Sequence, residues 1–148
     1  MGNSTKLSPD IEARIRQSFH AQAMMATLGA TLEDLSAGHA RIEAPILPGS
    51  RQQHGYAHAG LTFAIGDSAA GYAGLSVMPE GFEVLTTEMK INLLAPALGE
   101  RLIARGRVIK AGRRLVIVQA DVHALDEGRE THVALLTGTM IPLAPNLS

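Results

Sequence analysis

The sequence predicts an α+β fold: a curled antiparallel sheet of five or six strands wrapped around one long central helix, with a second helix at the N-terminus. Three observations carry this. Residues 59–76 form an Ala/Gly-rich stretch without proline, long enough for one helix and apolar nearly all round. Residues 39–46 and most of 84–142 alternate apolar and polar side chains with the two-residue period of strands packed on one face. Short turn signals separate the later strands and make neighbours antiparallel, so one long helix is left to cover one face of the sheet.

Residues 1–8 read as a polar tail. Ser8-Pro9-Asp10 is a helix start, with Ser8 as N-cap and Pro9 in the first turn, and Ile11, Ile15, Phe19 and Met25 give an apolar stripe to about Met25. A short extended stretch over 28–35 and a Ser36-Ala-Gly turn lead into the strand 39–46. There Ala40, Ile42, Ala44 and Ile46 face one way and His39, Arg41 and Glu43 the other. Pro45, Pro48 and Gly49 open a loop to His58, and Met78-Pro-Glu-Gly ends the long helix. In 84–94, Leu85, Thr87, Met89, Ile91 and Leu93 are read as one face, and Thr86, Glu88, Lys90 and Asn92 as the other. Strands 101–110, 114–125 and 132–142 follow, with turns at Pro96–Gly99, Ala111-Gly-Arg and Asp126-Glu-Gly-Arg.

At 148 residues this is one domain, 1–148, with a core of Val, Ile, Leu, Ala and Met because aromatics make up only 3%. A net charge of −1 offers no field for nucleic acid or an anionic membrane. The absence of cysteine excludes disulfides, thiolate nucleophiles and Cys-based zinc sites, and fits a reducing cytosol. No apolar run is long enough to span a bilayer. The first residues show no signal-peptide core, and Lys6 breaks the myristoylation pattern.

The most informative stretch runs from Gln52 to Asp67. Asp67 is the one charged residue of the long helix, among Phe63, Ala64, Ala70 and Gly71. A carboxylate in apolar surroundings is costly, and an acid kept there has a partner or a task. Upstream, His58-Ala59-Gly60 opens the helix, where the first N–H groups lack intrahelical partners and can hold a developing oxyanion. Asp67 lies roughly 10–12 Å further along the same helix, so one carbonyl cannot meet both within one chain. A symmetric dimer with antiparallel helices would bring the two together, and the glycines at 60, 66, 71 and 74 would permit close approach.

Other motifs carry less. His54 and His58 are spaced like metal ligands, but the Glu of the zinc-protease motif is missing and the pair precedes the helix, so no metal is expected. Gly66-Asp-Ser-Ala-Ala lacks the last glycine of a nucleophile elbow and no strand directly precedes it, which argues against a serine hydrolase. Lys110, Arg113 and Arg114 cluster at a hairpin, either as solvated charge or as a patch for the phosphates of a nucleotide tail.

Together, Gln53-His-Gly-Tyr-Ala-His-Ala-Gly with Asp67, then Leu85-Thr-Thr-Glu-Met-Lys-Ile-Asn-Leu-Leu-Ala-Pro-Ala, Gly106-Arg-Val and Gly112-Arg-Arg-Leu, give a resemblance over about residues 19–140. The chain resembles the PaaI-like acyl-CoA thioesterases of the hotdog superfamily, relatives of 4-hydroxybenzoyl-CoA thioesterase. The resemblance implies Asp67 as general base or nucleophile, and His58-Ala59-Gly60 in place of the family's His-Gly-Gly. The N–H that polarises the thioester carbonyl would come from Ala59, with Gly60 beside it. Gln52, with Gln53 as the alternative, matches an Asn or Gln near the attacking water or carbonyl. Thr86 matches a Ser or Thr that helps to hold the water. The acid and the helix-start donors would come from opposite subunits of a homodimer or tetramer.

The expected activity is thus hydrolysis of acyl-CoA by a cytoplasmic enzyme with no cofactor, since CoA is part of the substrate. Phe63, Tyr72, Met78 and Phe82 are expected to line the acyl pocket. A non-catalytic acyl-CoA-binding or regulatory domain is the alternative. A hotdog hydratase is disfavoured because no His follows Asp67 until His123.

Overall fold

A computed structural model describes residues 5–146. Its elements are α1 (Pro9–Ala21), α2 (Ala23–Thr27), β1 (Thr31–Ser36), β2 (His39–Pro45), α3 (Ala59–Leu75), β3 (Glu83–Leu93), β4 (Arg101–Ala111), β5 (Val116–Asp126) and β6 (Arg129–Leu143). The six strands form one antiparallel sheet in the order β1-β2-β4-β5-β6-β3, and α3 packs on β2, β3, β4, β5 and β6. This is the hotdog layout expected of the sequence. Among the described residues no helix is long and apolar enough to cross a membrane.

Local chemistry explains most boundaries. Ser8 caps α1 through Ile11 N–H, and Pro9 occupies the first turn. The first helix is shorter than its apolar stripe suggests. Gln22 takes an extended conformation (φ −76°, ψ 102°) and separates α1 from α2. The turn between β5 and β6 puts Glu127 at φ 48° and Gly128 at φ 79°, as a two-residue hairpin with right-handed strand twist requires. Ala40, Ile42, Ala44 and Ile46 are all buried, as the alternation predicts, and so are Val116, Val118, Ala120, Val122 and Ala124.

Three expectations are corrected. Residues 1–4 of the expected tail lie outside the described residues, but from Thr5 onward the chain is held: Leu7 is buried and Ala37 N–H donates to the Thr5 carbonyl. Second, β3 and β4 are not neighbours. The connection 94–100 carries the chain from one edge of the sheet to the far side of β5, about 14 Å for three strand spacings, which a seven-residue segment spans easily. Third, the faces of β3 switch partway. Its register with β6 shifts between Thr86 and Glu88, so Val84 and Thr86 turn inward before the shift and Met89 and Ile91 after it. Leu85 and Thr87 are therefore exposed rather than on the core face, while Leu93, in phase with Met89 and Ile91, is exposed at the end of the strand.

The tightest contact joins α3 to β4. A Cβ at Gly106 would stand 2.3 Å from the Ala69 backbone. The helix glycines serve the chain's own sheet as well: Gly66 receives Leu136, while Gly71 and Gly74 face Met140. They are buried and do not present a surface for another helix, contrary to the sequence reading. Replacing Gly106 with Ala forces backbone apart from backbone, and we expect it to lower the unfolding free energy by about 3 kcal/mol. Gly49→Ala, with nothing within 4 Å of the added methyl, should stay within about 0.5 kcal/mol of the parent; urea titration compares the two.

Candidate active site

Asp67 is the single charged residue of helix α3, whose C-terminal half is fully buried. In its N-terminal half one stripe escapes the sheet. Gly60, Phe63, Ala64, Asp67 and Ser68 follow the i, i+3, i+4, i+7, i+8 spacing of one helix face, and each is exposed or half-buried. Asp67 therefore lies neither in the core nor on a hydrated surface.

Ahead of the register shift in β3, Thr86 faces this acid. Thr86 Oγ1 donates to Asp67 Oδ1 at 2.9 Å and also lies 3.1 Å from Met140 Sδ. Desolvation by burial pushes the Asp67 carboxyl above the usual Asp value, and the hydrogen bond from Thr86 partly offsets it. A cavity of about 350 Å³ opens beside the pair, bounded also by Ser18, Gln22 and Tyr72.

The helix start lies at a second cavity, of about 600 Å³, lined by Gln52, Tyr56, His58, Ala59 and the apolar segment 93–97. Its loop is pinned by Ala57 N–H to the Ala97 carbonyl and His58 N–H to the Ser50 carbonyl, both at 2.9 Å. His58 is the N-cap: its Nδ1 accepts from Gly60 N–H at 2.8 Å. This corrects the expected role of Gly60. Its N–H is engaged by the cap, and its missing side chain makes room for that cap, since a Cβ would stand 2.9 Å from His58 Nδ1. The Ala59 N–H has no partner among the described residues and points out of the first helical turn. Gln52, not Gln53, lines this cavity; its side-chain oxygen accepts from His54 N–H.

Of the predicted site residues, the structure thus gathers Gln52, His58 and Ala59 in one cavity and Asp67 with Thr86 in the other, and the two cavities share no lining residue. Lys110, Arg113 and Arg114 are exposed and line neither. Their hairpin adjoins the row Ala111–Val116–Met140–Thr86 across the sheet, hence the end where Asp67 lies. Of the four residues expected in the acyl pocket, only Tyr72 borders the Asp67 cavity. Sequence reasoning missed Ser18 and Gln22, because nothing in the α1 pattern marks its polar face as turned toward α3. Among the described residues no three His, Asp or Glu side chains converge as metal ligands.

Residues 54–131 match the Thioesterase superfamily, and the chain belongs to that family, whose chemistry is thioester hydrolysis. A thioesterase family protein from Silicibacter pomeroyi, of known structure, is 41% identical with a TM-score of 0.89 over 90% of this chain and 98% of its own. A Saccharolobus solfataricus protein provisionally named an esterase is 31% identical over 77% of this chain and 73% of its own. The Escherichia coli PaaI protein, from the phenylacetic acid degradation operon, shares the fold, with a TM-score of 0.82 at 20% identity over 94% of this chain and 97% of its own.

The raised Asp67 pKa has a consequence for stability. The folded state holds this proton to higher pH than the unfolded chain does, so ionising Asp67 costs folding free energy as pH rises through that window. Asp67→Asn should therefore melt at a higher temperature than the wild type at neutral pH. The difference should vanish below the model-compound value of 3.8; thermal melts across this range test it.

Proposed function

We propose that the protein hydrolyses acyl-CoA thioesters at two equivalent sites, each shared by two copies of the chain. The observation that supports this best is the division of the chemistry along α3. An unpartnered Ala59 N–H stands at one end of the uncovered stripe, and a desolvated, Thr86-bound Asp67 stands two turns further on. A second copy laid antiparallel on this stripe would bury Phe63 and Ala64 and set the Ala59 donor of one subunit against the Asp67 of the other. The assembly is then a homodimer or a dimer of dimers.

In this reading the thioester carbonyl accepts from Ala59 N–H. The Asp67 carboxylate, more basic than an ordinary Asp, takes a proton from water as the water attacks the carbonyl carbon. Thr86 holds the carboxylate in place, and Gln52 borders the carbonyl. The tetrahedral oxyanion collapses, the C–S bond breaks and CoA leaves as thiolate, which recovers a proton from Asp67 or solvent. A thiolate with a solution pKa near ~8.5 needs little acid help to leave, so a polarising donor and a base suffice. Direct attack by Asp67 through an acyl anhydride uses the same groups. The apolar segment 93–97 would receive the pantetheine arm. Arg113 and Arg114, with Lys110, would meet the CoA phosphates, and the substrate places the enzyme in the cytosol.

Thiol release from a panel of acyl-CoAs tests the chemistry. Asp67→Asn should lower kcat by about 10²–10⁴-fold. Ala59→Pro deletes the donor alone, because proline suits the first helical turn and His58 already has the extended conformation (ψ 141°) that precedes proline. It should cost about 10²-fold in kcat. Binding of CoA esters without thiol release by the wild type would move the reading to a binding domain.

Charge reversal at Arg113 and Arg114 should raise KM with kcat nearly unchanged. A fall in kcat at constant KM would remove the phosphate role.

A further inference from the structure

The first turns of α3 hold a second polar group that the fold leaves unsatisfied. Thr62 is only 1% exposed, and a buried hydroxyl is costly unless something bonds to it. Elsewhere the chain meets this demand. Ser76, also buried, accepts from Gly38 N–H at 2.8 Å and donates to the Ala73 carbonyl at 2.6 Å. Thr27, in α2, donates to the Ala23 carbonyl four residues back at 3.1 Å. For Thr62 the corresponding acceptor is the His58 carbonyl, which instead takes the N–H groups of Leu61 and Thr62 at 3.0 and 3.5 Å. Among the described residues the Thr62 hydroxyl has no partner.

Its position supplies a reason. Among the described residues no side-chain nitrogen or oxygen is both fully occluded and unpartnered. The Thr62 oxygen therefore opens onto the space that this residue lines, the cavity of about 600 Å³ at the helix start. Ala59 lines the same cavity. Thr62 follows Ala59 by three residues, about 4.5 Å along the helix axis, and helical side chains lean toward the N-terminus. The hydroxyl thus lies beside the first turn, next to the free Ala59 N–H. The N–H groups of Gly60, Leu61 and Thr62 are all engaged within the chain. Thr62 is then the group of this helix start that can join Ala59 as a donor.

Resting on the thioesterase reading above, we propose that Thr62 is a further catalytic residue, whose hydroxyl donates a second hydrogen bond to the thioester carbonyl oxygen held by Ala59 N–H. Charge grows on that oxygen as water adds to the carbonyl carbon, so both donors bind the tetrahedral state more strongly than the ester. Thr62 gives up no proton. It donates to the oxyanion while that exists, and to the carbonyl that re-forms as the C–S bond breaks. The free enzyme bears the cost of the unpartnered hydroxyl, and bound substrate relieves it.

The test compares Thr62→Val, which keeps the branched shape without the hydroxyl, and Thr62→Ser, which keeps the hydroxyl. Thr62→Val should melt no lower than the wild type. Its kcat should fall by about 10–10²-fold on every acyl-CoA that the wild type hydrolyses, with KM nearly unchanged. Thr62→Ser should retain most of kcat. A second readout needs no turnover. A CoA ester analogue with methylene in place of sulfur keeps the carbonyl and is not hydrolysed. Its bound carbonyl stretch, read by isotope-edited infrared difference spectroscopy, should rise in frequency in Thr62→Val and stay near the wild-type value in Thr62→Ser. Wild-type kcat in Thr62→Val, a loss confined to KM, an equal loss in Thr62→Ser, or a stretch that valine does not move overturns the proposal. Thiol release by the wild type with an unmoved stretch removes Thr62 and leaves the hydrolase. A stretch that moves in a protein releasing no thiol from any ester refutes the hydrolytic function and leaves the Thr62 contact standing.

Discussion

The structure depends on covering α3. Seventeen residues carry a single charged side chain, so the helix has no face of its own to give to water. An antiparallel sheet of ordinary twist covers one side of a helix; to cover more, it must curl. The means are visible in the contacts. At Gly106 the β4 backbone meets the α3 backbone with no side chain between, and at Gly66 the helix yields its own side chain to Leu136. These approaches draw the middle strands close, and the outer strands wrap round. The order β1-β2-β4-β5-β6-β3, with β3 carried to the edge beyond β6, lets the strand that follows α3 close over the side that β2 cannot reach.

The wrap is incomplete, and the candidate site occupies what it leaves. The stripe from Gly60 to Ser68 is too apolar to be a solvent face and too open to be core. One chain alone leaves the Ala59 donor and the Asp67 acid about 12 Å apart and in separate cavities. Both defects, the bare apolar stripe and the divided chemistry, would be repaired by one operation, the proposed antiparallel docking of a second α3. This is why the proposed activity and the proposed assembly are one proposal.

Much of this was legible in the sequence because it depends on local pattern. The β2 alternation, the Ser8 cap, the Asp126–Arg129 hairpin and the isolated Asp67 are all read over a few residues, and the structure places each as read. What was not legible depends on partners distant in the chain. A period of two cannot tell which strand lies alongside, so β3 was expected beside β4. Nor can it show a register shift, because Leu85, Thr87, Met89 and Ile91 continue one alternation while the backbone between Thr86 and Glu88 interrupts it. The same limit applied to the helix start. Gly60 reads as an open donor until the ring of His58 is seen to occupy it. The helix glycines read as a docking groove until Leu136 and Met140 fill the space above them.

The Thr86 hydroxyl shows how closely the acid's basicity is set by its surroundings. It has one hydrogen and two acceptors in reach, Asp67 Oδ1 at 2.9 Å and Met140 Sδ at 3.1 Å. A carboxylate is by far the stronger acceptor, so the hydrogen goes to Asp67 while the acid is ionised. Once Asp67 takes up a proton the advantage shrinks, and the hydroxyl is free to turn to the thioether. The hydrogen bond therefore stabilises the charged form alone, which opposes the desolvation that favours the neutral form. Without Thr86 the desolvation would act unopposed, and Asp67 would hold its proton more tightly. A fully hydrated carboxylate would be a weaker base. The stretch of β3 ahead of the register shift, which carries Val84 and Thr86 inward, gives Asp67 a position between these limits.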